Sequence, residues 1–181
     1  MLSHSQVAEP SNHEWLVGRF ADRIRPLCPS SILDVGCGSG LLLRTLSLSG
    51  AECQGLDQPG PRLESLRDEG YRVLEGSAYD LPFAAGEMEW VTMRHIPHHL
   101  EDPRRAFAEA LRVASRGVLL AEPWFDLSLP SQMAALEYDR LEKALDRQGG
   151  RYHAESMLLS DLLEALPPQA IDSLHVESHT D

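Results

Sequence analysis

Apolar positions along this chain keep two rhythms, a helical period of three to four residues and short continuous runs of the kind buried strands show. After a polar arm over residues 1–10, Trp15, Leu16, Phe20, Ile24 and Leu27 predict an N-terminal helix over 11–27. Ser11 or Asn12 stands where it can cap that helix, and Pro26 and Pro29 end it. Apolar runs then predict strands at Ser31 to Val35, Ala51 to Leu56, Tyr71 to Leu74, Trp90 to Met93 and Gly117 to Glu122. Helical segments separate them: one from Leu41 to Leu46, one opened by Gly60-Pro61 and stopped by Gly70, and one from Pro103 to Val113. Strands that alternate with helices at this interval form a parallel sheet with right-handed crossovers.

Beyond Pro123 the rhythm changes. Ser131 to Gln148 predicts one long helix, capped by Ser131 and stopped by Gly149-Gly150. Ser160 caps a short helix that runs to Leu166, and Ala170 to Glu177 predicts a last strand. The expected fold is α/β, doubly wound and Rossmann-like. Its mostly parallel sheet has six strands, or seven, helices on both faces and an abbreviated C-terminus. Residues 31–123 make the alternating core of a single domain, and 124–181 supply the later helices and the last strand.

Composition narrows the function. A length of 181 residues suits one domain, and 43% apolar residues suffice for a core. The formal net charge of -12 argues against a nucleic-acid partner, which needs clustered Lys and Arg. Cys28, Cys37 and Cys53 share no metal-like or disulfide spacing, which fits a reducing, cytoplasmic setting. The N-terminus has no signal-peptide pattern, and no apolar run approaches the ~20 residues of a membrane span.

The chemistry starts at Ile32-Leu33-Asp34-Val35-Gly36-Cys37-Gly38-Ser39-Gly40, a strand, an aspartate and a glycine turn leading into a helix. Such a turn lets backbone approach a nucleotide-like ligand. A nicotinamide site wants a third glycine at position 41, where this chain has Leu41. Asp57, ending the second strand, is placed to accept hydrogen bonds from a ribose; a cap or turn role is its plainer alternative. Ser77 and Ala78 follow the third strand, where an adenine edge would lie, and Ser77 suits a turn equally well.

With these residues the chain resembles the class I S-adenosylmethionine-dependent methyltransferases, and within them the type 11 group that includes ubiquinone- and menaquinone-biosynthesis enzymes. The likeness is carried by ILDVGCGSG, GLD at 55–57, EGSAYDLPF at 75–83, HIPHHLEDPRRAFAEALRV at 95–113 and GVLLAEP at 117–123. It implies that Asp34 and the loop of Gly36, Cys37, Gly38 and Gly40 hold the amino-acid end of S-adenosylmethionine. It further implies ribose on Asp57, adenine beside Gln58 and against Ser77 and Ala78, and the sulfonium bordered by Met93 and Arg94. Relatives usually carry an aspartate where Ser77 stands. The product would be S-adenosylhomocysteine and the acceptor a small or lipid-like metabolite.

Methyl transfer needs alignment more than a fixed catalytic group, and a base only where the acceptor must lose a proton. His98 is the first candidate for that base and His95 the second, both following the fourth strand; His99 reads as a packing residue. Pro97 interrupts the three histidines and no ligand-like carboxylate joins them, so no metal is expected. Glu122 borders the same mouth, with a solvated or capping role as its plainer reading. Trp124, Phe125, Tyr138, Tyr152 and His153 are candidates for an aromatic lid, although such spacings more often mean core. Arg140, Lys143 and Arg147 share their helix with four acids and read as a mixed, solvated face. With one strand fewer than the family's seven, an open sheet edge predicts a homodimer. The competing functional reading is a non-catalytic S-adenosylmethionine-binding regulatory or partner subunit.

Overall fold

The strand Ser31–Val35 (β1) is buried at every position after its first, as expected of a strand covered on both faces. A computed structural model, describing residues 12–46, 51–150, 152–156, 159–171 and 173–178, sets β1 at the centre of a five-stranded sheet. β2 (Glu52–Asp57) and β3 (Val73–Glu75) lie on one side of it. β4 (Met88–Arg94) and β5 (Ala114–Ala121) lie on the other. The order is β3-β2-β1-β4-β5, and all four pairings are parallel.

Alternate residues of the strands face opposite layers. Ile32, Cys53, Trp90 and Leu119 pack with Val17, Ala21 and Ile24 of α1 (Asn12–Ile24) and Leu42 and Leu46 of α2 (Leu41–Leu46). On the same side Cys37 and Leu43 meet Leu63 and Leu66 of α3 (Pro61–Asp68). Leu33, Val35, Val91 and Met93 pack on the other face against Phe107 and Ala110 of α4 (Pro103–Val113). Asp102 caps α4, accepting a hydrogen bond from Arg105 N at 3.2 Å. Helices therefore do cover both faces, and the predicted doubly wound α/β class holds.

Several expectations need correction. The sheet has five strands among the described residues, not six or seven. Pro168 begins a helical turn, α7 (Pro168–Ile171), within the stretch expected to start the last strand. The described residues of the remainder form no ladder, and Leu174 and Val176 stay 40% and 51% exposed. A strand needs a neighbour to pair with, which local pattern cannot supply. The long helix α5 (Pro130–Gln148) starts with Pro130 in its first turn and Leu129 at the cap, so Ser131 lies inside it. Ser160 likewise lies inside α6 (Leu159–Ala165). β3 is shifted toward Glu75, and β5 starts at Ala114 because α4 turns directly into extended backbone there. The N-terminal arm and the Ser11 cap lie outside the described residues. Among those described, no helix is long and apolar enough to cross a membrane.

Candidate functional site

The C-terminal ends of β1, β2 and β4 meet at the glycine turn, the crevice where ligands bind in open parallel sheets. Gly36, Gly38 and Gly40 all have positive φ, at 71°, 56° and 73°. Gly36 N and Cys37 N both donate to Leu56 O, at 2.7 and 3.2 Å, tying the turn to β2. A Cβ on Gly36 would stand 2.1 Å from Ile96 Cδ1, and one on Gly40 2.4 Å from Leu66 Cδ2. A Cβ on Gly38 would meet nothing within 4 Å. The outer two glycines thus serve packing, while the middle one fronts open space, a cradle that a side chain would fill.

Asp57 closes this turn. Its Oδ2 accepts from Gly38 N at 2.6 Å and its Oδ1 from Gln58 N at 2.7 Å. Its turn role is thus filled, and each carboxylate oxygen keeps a lone pair for a further donor. Asp34 lies behind the turn, only 4% exposed, and accepts from Thr92 Oγ1 at 2.8 Å. Burial pushes its carboxyl up to about 7, against the opposing pull of the Thr92 hydrogen bond and the Arg94 charge. Burial also lowers the Arg94 guanidinium, which Asp34 holds up in turn. The Cys37 thiol is driven to about 12 by burial, then by Asp34 and Asp57, so it is no thiolate nucleophile. It packs where Gly55 has no side chain, a Cβ there falling 2.8 Å from Cys37 Sγ.

Other predicted cofactor residues divide. Gln58 is exposed just beyond Asp57. The Ser77 hydroxyl accepts from Tyr79 N at 3.2 Å, the turn role, and Ala78 packs against the main core. Met93 has its side chain fully buried in that core, leaving only its backbone at the strand end.

The residues after β4 gather a second group of polar side chains. His95 has φ 55°, rare for a residue with a side chain, and its N donates to Ala121 O at 2.8 Å. His98 is 5% exposed on the 3-10 turn Pro97–His99, its Nδ1 2.6 Å from Glu122 Oε2. Glu122 Oε1 is buried without a hydrogen-bond partner. His98 O accepts from Ala154 N at 2.8 Å, which brings His153 against the turn. His153 Nδ1 sits 2.8 Å from Asp146 Oδ2, and its Nε2 is buried with no partner. The His98 and His153 rings stack with centroids 5.1 Å apart, and His99 lies 4.4 and 4.2 Å from them. Burial, then the neighbouring His98 and His153, pushes the His99 imidazole down to about 4.

Of the expected aromatic lid only His153 joins this group. Trp124, Tyr138 and Tyr152 are exposed, and Trp124 and Phe125 line a shallow cleft with Leu127, Leu136 and Arg140. The mixed face expected of α5 holds for Arg140 and Arg147, which pair with Glu137 and Glu155. Lys143 departs from it, buried to 2% between Asp139 Oδ2 at 2.8 Å and Ser156 Oγ at 2.6 Å. Lys143 meets Asp139 one turn earlier on the same helix, but its burial against Ser156, like the contacts of His153 with His98 and His99, forms only where the chain folds back after α5.

Residues 33–121 match the family described as a methyltransferase domain. The chain is 31% identical to the ubiquinone biosynthesis O-methyltransferase of Thiobacillus denitrificans over 106 residues, 55% of this chain and 46% of that protein. It is 26% identical to the ajmaline N-methyltransferase of Rauvolfia serpentina, over 82% of this chain and 54% of that one. The chain thus spans about half the length of these curated relatives. Its fold is shared with the crystal structure of YcgJ from Bacillus subtilis, at a TM-score of 0.60 and 24% identity, over 86% of this chain and 66% of that one.

Proposed function

We infer that this chain, a member of the class I S-adenosylmethionine-dependent methyltransferases through its residues 33–121, transfers a methyl group to a small-molecule or lipid-like metabolite. The observation that carries the reading is the open middle of the glycine turn, with Asp34 buried behind it and Asp57 across its mouth. When bound, S-adenosylmethionine supplies a sulfonium methyl open to in-line displacement. The ionised Asp34 carboxylate faces the cofactor's ammonium, and the Gly36, Cys37 and Gly38 backbone cradles its amino-acid end. Asp57 takes the ribose hydroxyls on the lone pairs left by Gly38 and Gln58. Gln58, Ser77 and Ala78 border the adenine, and Arg94 with the Met93 backbone borders the sulfonium.

On the acceptor side, Glu122 fixes the His98 ring. With Nδ1 donating to the carboxylate, Nε2 presents a lone pair. We assign that nitrogen the acceptor's proton, with His95 beside it at 6.4 Å between ring centroids. A buried His–carboxylate pair at a strand end favours turnover over a purely regulatory role. Free Cys28, Cys37 and Cys53 fit a cytoplasmic setting, and the outer edge of β5, unpaired among the described residues, favours a homodimer.

Calorimetry with S-adenosylmethionine and transfer of a labelled methyl into a metabolite extract test this reading. Asp57→Ala is expected to abolish cofactor binding. His98→Ala is expected to bind cofactor as before and lose about 100-fold or more in turnover, the usual range for a lost acid–base group. Cofactor binding by Asp57→Ala equal to that of the parent chain overturns the ribose assignment. Binding without any transfer favours the regulatory subunit.

A further inference from the structure

We propose that His98, His99 and His153 form a site for a divalent transition metal, zinc by the chemistry of its donors, which fastens the segment after α5 to the ends of β4 and β5. This goes beyond methyl transfer and does not depend on it. The three imidazoles offer ligand nitrogens that all lie within 4.8 Å of one another. Tetrahedral zinc with Zn–N near 2.0–2.1 Å sets its donors ~3.3 Å apart, so the rings close inward slightly on binding. His99 keeps an exposed face and has room for that adjustment.

The surroundings fit a metal better than a packing cluster. Metal-binding histidines almost always give their other ring nitrogen to a carboxylate or carbonyl, which fixes the tautomer and makes the ligand more basic. Two of the three do so here: His98 Nδ1 to Glu122 at 2.6 Å and His153 Nδ1 to Asp146 at 2.8 Å. The remaining nitrogen of His153 is buried and has no hydrogen-bond partner, a costly state for a ring held only by packing. Glu122 Oε1 is also buried and unpartnered, adding negative charge next to the ligands. Three neutral nitrogens select zinc or its first-row neighbours over magnesium and calcium, which want oxygen. Three protein ligands leave the fourth position open to water or to an acceptor oxygen.

One consequence rests on the function proposed above. A cation on His98 Nε2 occupies the nitrogen assigned to the acceptor's proton, so the loaded protein is expected to lose base-dependent transfer until a chelator restores it.

The test uses the full chain, stripped with a chelator and titrated with Co2+ and then Zn2+. Expected are one equivalent of Co2+ with the visible absorption of a tetrahedral nitrogen site, displaced by Zn2+, and a zinc-dependent rise in Tm. His153→Gln and His99→Gln are expected to weaken zinc at least 100-fold, and Glu122→Gln by 10–100-fold as an outer partner. Circular dichroism of each variant separates lost ligands from lost fold. Should a variant misfold, Co2+ absorption of the unmodified chain decides on its own. An octahedral cobalt spectrum, or zinc affinity unchanged in folded His153→Gln, overturns the site. The cobalt readout needs no turnover, so it succeeds or fails independently of the methyltransferase reading.

Discussion

Asp34 shows how a residue can be costly to the fold and still suit the proposed site. Its carboxyl is raised from 3.8 to about 7 by burial. A carboxyl with a raised folded pKa stabilises fully below its unfolded pKa, and that contribution is lost as pH rises through the folded value. Over the three units between them the loss is on the order of 4 kcal/mol. Asp34→Asn keeps an acceptor for the Thr92 hydroxyl and removes the charge. Urea denaturation is therefore expected to find the variant more stable than the parent at pH 8, with the gap shrinking toward pH 5; the opposite ranking refutes the assignment. The same residue predicts that S-adenosylmethionine binds more tightly as pH rises from 5.5 to 7, because its ammonium prefers the ionised carboxylate. Titration calorimetry across that range is expected to show this dependence in the parent and a flat profile in Asp34→Asn. That Asp34 and the glycines share one turn was legible in the sequence because they are neighbours along the chain. The packing of His153 on His98 and His99 was not, since those two stand more than fifty residues away and only the fold-back after α5 brings them together.

At the scale of elements, the glycine turn is expected to separate stability from binding. Gly36→Ala forces a Cβ to 2.1 Å from Ile96 Cδ1 at a φ of 71°, and both the clash and the left-handed backbone oppose it. Thermal denaturation is expected to register a loss of about 2–3 kcal/mol, one or two of it from the backbone alone. Gly38→Ala meets no atom within 4 Å, so only the backbone cost of about 1–2 kcal/mol applies. Its methyl, however, projects into the open cradle, and cofactor affinity is expected to fall at least tenfold by calorimetry. If Gly38→Ala binds normally, the cradle has been assigned to the wrong glycine. The elements that could be read in advance carry their own signals. Asp102 and Pro103 start α4, and continuous apolar runs mark β1 and β4. The last strand failed because Leu174 and Val176 imitate strand alternation while Pro168 starts a helical turn just before them. Whether such a segment pairs is decided by the neighbouring edge, which is not a local property.

The whole molecule leaves two surfaces whose exposure is unfavourable for a lone subunit. The outer side of β5 has no strand partner among the described residues, and such an edge tends to recruit another chain. α5 leaves Met133, Tyr138, Leu141 and Leu145 each more than half exposed, at 52%, 63%, 57% and 58%. Apolar side chains on this scale mark association surfaces more often than solvated ones. Both features support the homodimer proposed above, and they make separate predictions about it. Sedimentation velocity at micromolar concentration is expected to report about twice the 20.1 kDa of one chain. If the β5 edge is the contact, its outward amides are expected to resist hydrogen exchange in the dimer and to exchange on dilution. If α5 is the contact, Leu141→Glu with Leu145→Glu is expected to give a folded monomer while the β5 amides behave the same at every concentration. A monomer at all concentrations, with rapidly exchanging outward β5 amides, removes the dimer and leaves the charged residue Arg116, exposed on β5, as the edge's guard against aggregation.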